Sequence, residues 1–205
     1  MSDSITEGDS LYQLGMKEFK SGRFNEALQH WLRASELGNP NAIYQLGLIA
    51  YQVGEVVDAQ KYWLQAADKG VSAAMFELSK FADEVGDQEE SNRWCEAAAH
   101  AGHASAMFNL GVIAEQDEEI DEAKKWYLRA AIEGDSSAMH NLGVLFYQVG
   151  DLVEAKKWYL RSAEAGDTDA MINLGVMAQD AGDPVEAKNW IKLARPNAKN
   201  FDVLD

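Results

Sequence analysis

The sequence has 205 residues, enough for one globular domain or one short repeat array. Apolar residues make up 47% of it, which suffices for a core, and no apolar run is long enough to span a membrane as a helix. A formal net charge of -16 speaks against nucleic acid and anionic membrane surfaces as partners, because phosphate binders need clustered Lys and Arg.

The acidic balance either keeps the chain soluble or steers basic partners toward it. The opening segment MSDSITEGDS has neither a basic nor an apolar stretch, so it does not read as a signal peptide, and residues 1–5 read as a short tail. The single cysteine, Cys95, excludes an internal disulfide framework, and the expected compartment is the reducing cytoplasm.

From residue 6 to residue 196 the chain overlays on itself at a shift of 32 residues, giving six units. Leu14-Gly15 of the first unit returns as Leu46-Gly47, Leu110-Gly111, Leu142-Gly143 and Leu174-Gly175, with Leu78-Ser79 in the third unit. One glycine series runs Gly38, Gly70, Gly102, Gly134 and Gly166. Another runs Gly22, Gly54, Gly86, Gly150 and Gly182, with Glu118 in the fourth slot. Tryptophans recur at Trp94, Trp126, Trp158 and Trp190, and one position later at Trp31 and Trp63.

The first unit carries Lys17 and Glu18 where later units are apolar, as an end repeat with a wet outer face needs. The third unit departs most, with Ser79 for Gly, Ser91 for Ala, Cys95 for Tyr and Glu96 for Leu. It reads equally as a hinge, a specificity centre or neutral drift. In the fourth and fifth units Lys124, Lys125, Arg129, Lys156, Lys157 and Arg161 form a basic stripe. Carboxylates three or four residues away explain it as ordinary surface pairing.

The fifth unit shows the plan most clearly. Ala138, Met139, Leu142 and Leu145 make a helical apolar stripe, which predicts a helix A over roughly 136–148. Gly150 ends it. Asp151 and Glu154 then open a helix B in the manner of a capping box, which carries Ala155, Trp158, Tyr159 and Ala163 until Gly166 stops it. Asp135 and Asp167 are predicted caps of helix A. Gly143 and Ala155 let the two backbones approach, and the aromatic residues of helix B fill the gap beside them. The sixth unit repeats the start as Asp183-Pro184 and ends in the polar Lys192 and Arg195; residues 197–205 read as a second tail.

Ala138…Leu142-Gly143 followed by Glu154-Ala155…Trp158-Tyr159…Ser162-Ala163…Gly166 resembles the Sel1-like repeat, and its spacing is similar to the tetratricopeptide repeat. The loop between the two helices is shorter than is usual for Sel1-like units, and the paired cysteines of some secreted members are absent. The resemblance implies an all-α fold, a right-handed superhelical α-solenoid with helix A on its concave face. It also implies a scaffold or adaptor that binds a protein or peptide partner, and no enzymatic activity.

Carrying the tetratricopeptide geometry over places Gln13, Gln45, Glu77, Asn109, Asn141 and Asn173 on the inner face. A side-chain amide offers a donor and an acceptor that match a peptide unit. Neighbouring helices lie roughly 10 Å apart, so one amide meets every third residue of an extended ligand rising ~3.3 Å per residue. The same amides equally suit bonds that hold adjacent units together. Tyr12, Phe19, Tyr44, Tyr51, Phe76, Phe108, His140 and Tyr147 are candidate anchors on or near this face, or packing between helices. Asp83, Glu84, Glu115 and Asp180 share it, which points to a partner segment with apolar and basic side chains.

No nucleophile, phosphate loop or acid–base pair is singled out by spacing, and Cys95, His100 and His103 lack a fourth ligand for zinc. No cofactor is expected. The expected state is a monomer or weak homo-oligomer. The other functional reading is a self-assembling or complex-organising protein that uses outer or terminal faces.

Overall fold

The structure is a computed structural model and describes residues 6–195; the predicted tails at 1–5 and 197–205 lie outside the described residues. The described residues form helices and turns with no strand. They divide into two compact units, 6–103 and 104–195, with three repeats each.

The first unit contains α1 (Glu7–Lys20), α2 (Phe24–Glu36), α3 (Pro40–Gln52), α4 (Val56–Asp68), α5 (Ser72–Glu84) and α6 (Gln88–His100). The second contains α7 (Ala104–Gln116), α8 (Ile120–Ile132), α9 (Ser136–Gln148), α10 (Leu152–Glu164), α11 (Thr168–Asp180) and α12 (Pro184–Ala194). Odd-numbered helices are the predicted helices A and even-numbered ones the helices B. Within each unit a helix A packs most heavily on its own helix B, and that helix B packs on the next helix A. The predicted bounds of helix A in the fifth repeat, 136–148, are those of α9.

Local chemistry sets these limits. Asp135 and Asp167 cap α9 and α11, accepting from Ala138 N–H and Ala170 N–H. Asp151 accepts from Glu154 N–H, but the Glu154 carboxylate turns to Lys157 at 3.0 Å, so only half of the expected capping box forms. The complete box is at α1, where Thr6 and Asp9 cap each other. The helices B α2, α4, α6, α8 and α10 end in Schellman turns. At the end of α2, Gly38 N–H bonds Ser35 O at 2.8 Å and Asn39 N–H bonds Ala34 O at 3.0 Å. Both turn series of glycines hold φ between 77° and 94°. Glu118 is forced into the same region at φ 63°.

The core of each repeat pairs a small residue on helix A with a ring on helix B. Gly47 faces Trp63, Gly111 faces Tyr127 and Gly143 faces Tyr159. All three rings are buried, as is Trp31 against Gly15. Trp31, Trp63, Tyr127 and Tyr159 therefore occupy one structural position. Trp94, Trp126, Trp158 and Trp190 occupy the adjacent one, where Arg93, Arg129 and Arg161 lie over the rings of Trp94, Trp126 and Trp158. In the third repeat the buried Ser79 and Cys95 take the places of glycine and ring, so volume lost on one helix is regained on the other. Buried alanines such as Ala34, Ala42, Ala66, Ala74, Ala163 and Ala170 form the contacts between successive repeats. Among the described residues no helix is long and apolar enough to cross a membrane.

Candidate functional site

In the first unit the candidate residues lie along α1, α3 and α5. Gln13 is exposed and Gln45 half-buried. Tyr12 packs against the first core cluster, and its carbonyl accepts the Trp31 indole N–H at 3.3 Å. Tyr44 is half-buried; burial, then the charge of Glu77, pushes its phenol up to about 12. Phe76 stacks on the His103 ring at 4.4 Å between centroids. Phe19 is exposed, 5.6 Å from the Trp31 ring.

Tyr51 occupies the same repeat position as Phe19. Its ring lies 5.4 Å from that of Trp63, and its hydroxyl donates to Glu84 at 2.7 Å, one repeat on. That bond to a carboxylate raises the Tyr51 phenol. Lys80 donates to Glu77 at 2.7 Å. Tyr51, Trp63, Glu77, Lys80, Phe81 and Glu84 together line a small cleft. Trp63 and Phe81 were not among the expected site residues. Trp63 reads from sequence as core, and Phe81 becomes relevant only once α5 is placed beside α3. Asp83 is exposed and stands outside this cleft.

In the second unit the residues lie along α7, α9 and α11. Asn109 is exposed, whereas Asn141 and Asn173 are half-buried. The amide of Asn141 hydrogen-bonds the Tyr127 hydroxyl of the preceding repeat, and Asn173 does the same to Tyr159. The Tyr127 hydroxyl itself donates to Glu115 at 2.7 Å. Burial first, then Glu115, drives the Tyr127 phenol well above its ordinary value. Two rungs of the asparagine series thus tie successive repeats through a buried ring, while each keeps a carbonyl oxygen as an acceptor.

Phe108 is half-buried, 5.8 Å from the Tyr127 ring. His140 meets the Tyr159 ring edge-on, and its Nε2 lies 3.3 Å from the Asn173 amide. The other nitrogen, Nδ1, is 3.5 Å from Asp167. Tyr147 is exposed and donates to Asp180 at 3.3 Å, again one repeat on.

Each unit therefore presents a helix-A face with an exposed tyrosine whose hydroxyl is held by a carboxylate 33 residues later. The spacing was present in the sequence, as Tyr51 and Glu84 or Tyr147 and Asp180, and it marks the pair once the repeat is known.

The model of the Sel1 repeat matches residues 8–39, 40–71, 72–103, 136–167 and 168–195, and a tetratricopeptide repeat model matches 92–138. Curated protein sequences give no match. Among solved structures the fold is similar to a Sel1 repeat protein from Oxalobacter formigenes, at 24% identity and TM-score 0.78, over 96% of this chain and 90% of that one. It is also similar to a protective antigen of uropathogenic Escherichia coli with an SLR fold, at 24% identity and TM-score 0.71. That alignment covers 94% of this chain and 46% of the antigen, so this chain spans about half of its length. An immunity protein from Pseudomonas aeruginosa aligns at 19% identity and TM-score 0.66, over 98% of this chain and 85% of that one.

Proposed function

The chain belongs to the Sel1 repeat family, whose helical-repeat fold is a scaffold for protein–protein interaction, and on that premise we propose that its helix-A faces hold an extended segment of a protein partner. The observation that carries this reading is the recurrent exposed tyrosine, Tyr51 and Tyr147, each with its hydroxyl tied to a carboxylate one repeat on. Such a ring is already oriented before a partner arrives. An aromatic with two rotatable angles then loses little entropy on binding. Asn109, exposed, and the free carbonyl oxygens of Asn141 and Asn173 supply polar contacts to a peptide backbone at about 0.5–1.5 kcal/mol each. The acidic groups Asp83, Glu84 and Asp180 favour basic side chains in the bound segment.

Site-specific photo-crosslinking tests the reading. A crosslinker at position 51, 109 or 147 should capture a partner from a native lysate, and one at position 125 or 157 of helices B should not. Capture from helices B alone would overturn it.

A second reading has its own observation. Val149, Leu152 and Val153 in the fifth repeat, and Val185 at the position of Val153 in the sixth, are exposed at the turns between helices A and B. These exposed apolar side chains favour assembly through an edge, either with a second copy or within a larger complex. Sedimentation of the wild type and of Val153→Lys distinguishes it. A concentration-dependent increase in mass that the substitution removes supports the edge, and a strict monomer in both removes self-assembly.

A further inference from the structure

Resting on that helix-A reading, we infer that the cleft between α3 and α5 in the first unit takes the basic side chain of the bound segment, with an arginine as the best fit. Three observations converge. Tyr51 and Phe81 supply aromatic surface, on which a guanidinium stacks well, above the buried ring of Trp63. Glu84 sits at the mouth with one oxygen fixed by the Tyr51 hydroxyl at 2.7 Å, and it pairs with no cation among the described residues. Glu77 already holds a cation, Lys80 at 2.7 Å, whose ammonium also lies 6.0 Å from the Phe76 ring. The cleft thus accommodates a positive group beside an aromatic and retains one carboxylate to spare.

Trp63 supplies the reporter. Its side chain is 2% exposed and forms part of the cleft wall, with its Nε1 edge packed on Gly47 of α3. A flat cationic side chain complements both the Glu84 carboxylate and the rings of Tyr51 and Phe81, whereas a free inorganic cation complements only the carboxylate.

The test titrates the intact protein with acetyl-Gly-Arg-Gly-amide and with the same tripeptide in which citrulline, neutral and nearly the same shape, replaces arginine. The readout is the Trp63 indole resonance in a ¹H–¹⁵N spectrum. The arginine peptide should shift it saturably, and the citrulline peptide about tenfold more weakly. Glu84→Gln should weaken arginine binding by about tenfold, equivalent to ~1.4 kcal/mol. Tyr51→Phe, which releases Glu84, should weaken it less, and Lys80→Gln, which frees Glu77, should strengthen it. Glu133→Gln, an exposed change of the same net charge, should leave it as it is.

Equal binding of the two peptides, or equal loss in Glu84→Gln and Glu133→Gln, would overturn the inference. Crosslinks from positions 51 and 109 together with equal peptide binding would sink this inference and leave the helix-A reading standing. Crosslinks from helices B alone with an arginine-specific shift would do the reverse.

Discussion

Gly143 lies directly against the phenol ring of Tyr159, so that a methyl group added to it would come within 2.5 Å of Cδ1 and Cε1. The ring is buried between two helices and has nowhere to retreat. Gly143→Ala should therefore cost about 1–2 kcal/mol, the overpacking penalty less the helix propensity that alanine gains. Gly175 is the internal control. Its neighbour is the terminal Cδ1 of Ile191 at 3.0 Å, which can turn aside, so Gly175→Ala should stay within about 0.5 kcal/mol of wild type. Urea denaturation of both variants checks the contrast.

Glu118 holds φ at 63°, in a slot that other repeats fill with glycine. An L-residue there costs roughly 1–2 kcal/mol, partly offset by the extra freedom glycine has when unfolded. Glu118→Gly should stabilise the fold by about 1 kcal/mol. Glu118→Ala removes the charge without freeing φ and should gain nothing comparable, which thermal unfolding of the two variants resolves.

Ser79 and Cys95 form a compensated pair. Both are buried, and Ser79 Oγ lies 3.4 Å from Ser91 Oγ. Burial pushes the Cys95 thiol up, with a Ser79 hydrogen bond pulling the other way. Cys95→Tyr alone should destabilise by about 1–3 kcal/mol, because the ring meets the Ser79 side chain. Adding Ser79→Gly restores the arrangement of Gly111 and Tyr127. A double-mutant cycle should then show favourable coupling of at least ~1 kcal/mol. Additive costs would mean that the third repeat is packed on a different plan.

Asp167 joins three elements. It caps α11 through Ala170 N–H at 3.1 Å, accepts from Ser162 of α10 at 3.0 Å and faces His140 of α9. Burial raises its carboxyl, but the Ala170 N–H, the Ser162 hydroxyl and His140 outweigh that and hold it below the usual range. A carboxyl depressed in the folded state contributes stability above its unfolded value and loses it as pH falls through its folded value. The loss therefore lies below about pH 4. Asp167→Asn keeps a capping group that does not titrate, so its stability should fall less steeply than wild type in that window. Parallel curves would remove Asp167 from the acid response. At neutral pH Asp167→Ala should cost about 1–2 kcal/mol.

The period, the helix limits and the terminating glycines were legible from the sequence because each is a local signal. A glycine that must reach φ near 80° or an aspartate that caps three residues on leaves its mark in place. Pairings across helices were harder to see. Trp31 and Trp63 looked like a tryptophan series displaced by one residue. They are instead the equivalents of Tyr127 and Tyr159, as the glycine beneath each ring shows. The bond from Asn141 to Tyr127 runs between residues whose proximity depends on how one helix B meets the next helix A. It gives part of the asparagine series a stacking role beside the peptide contact we propose. The Thr6 box at α1 was missed because Asp replaces the usual Glu or Gln.

The most direct test of the central claim is the affinity of the crosslinked partner segment for wild type and for Tyr51→Ala/Tyr147→Ala, each checked for unchanged helix content. Both rings are exposed, so their removal spares the core. If the helix-A faces hold the partner, the double variant should lose at least ~2 kcal/mol of binding, roughly thirtyfold in affinity. Unchanged affinity in a fully folded variant would contradict the account and move the interaction to another surface.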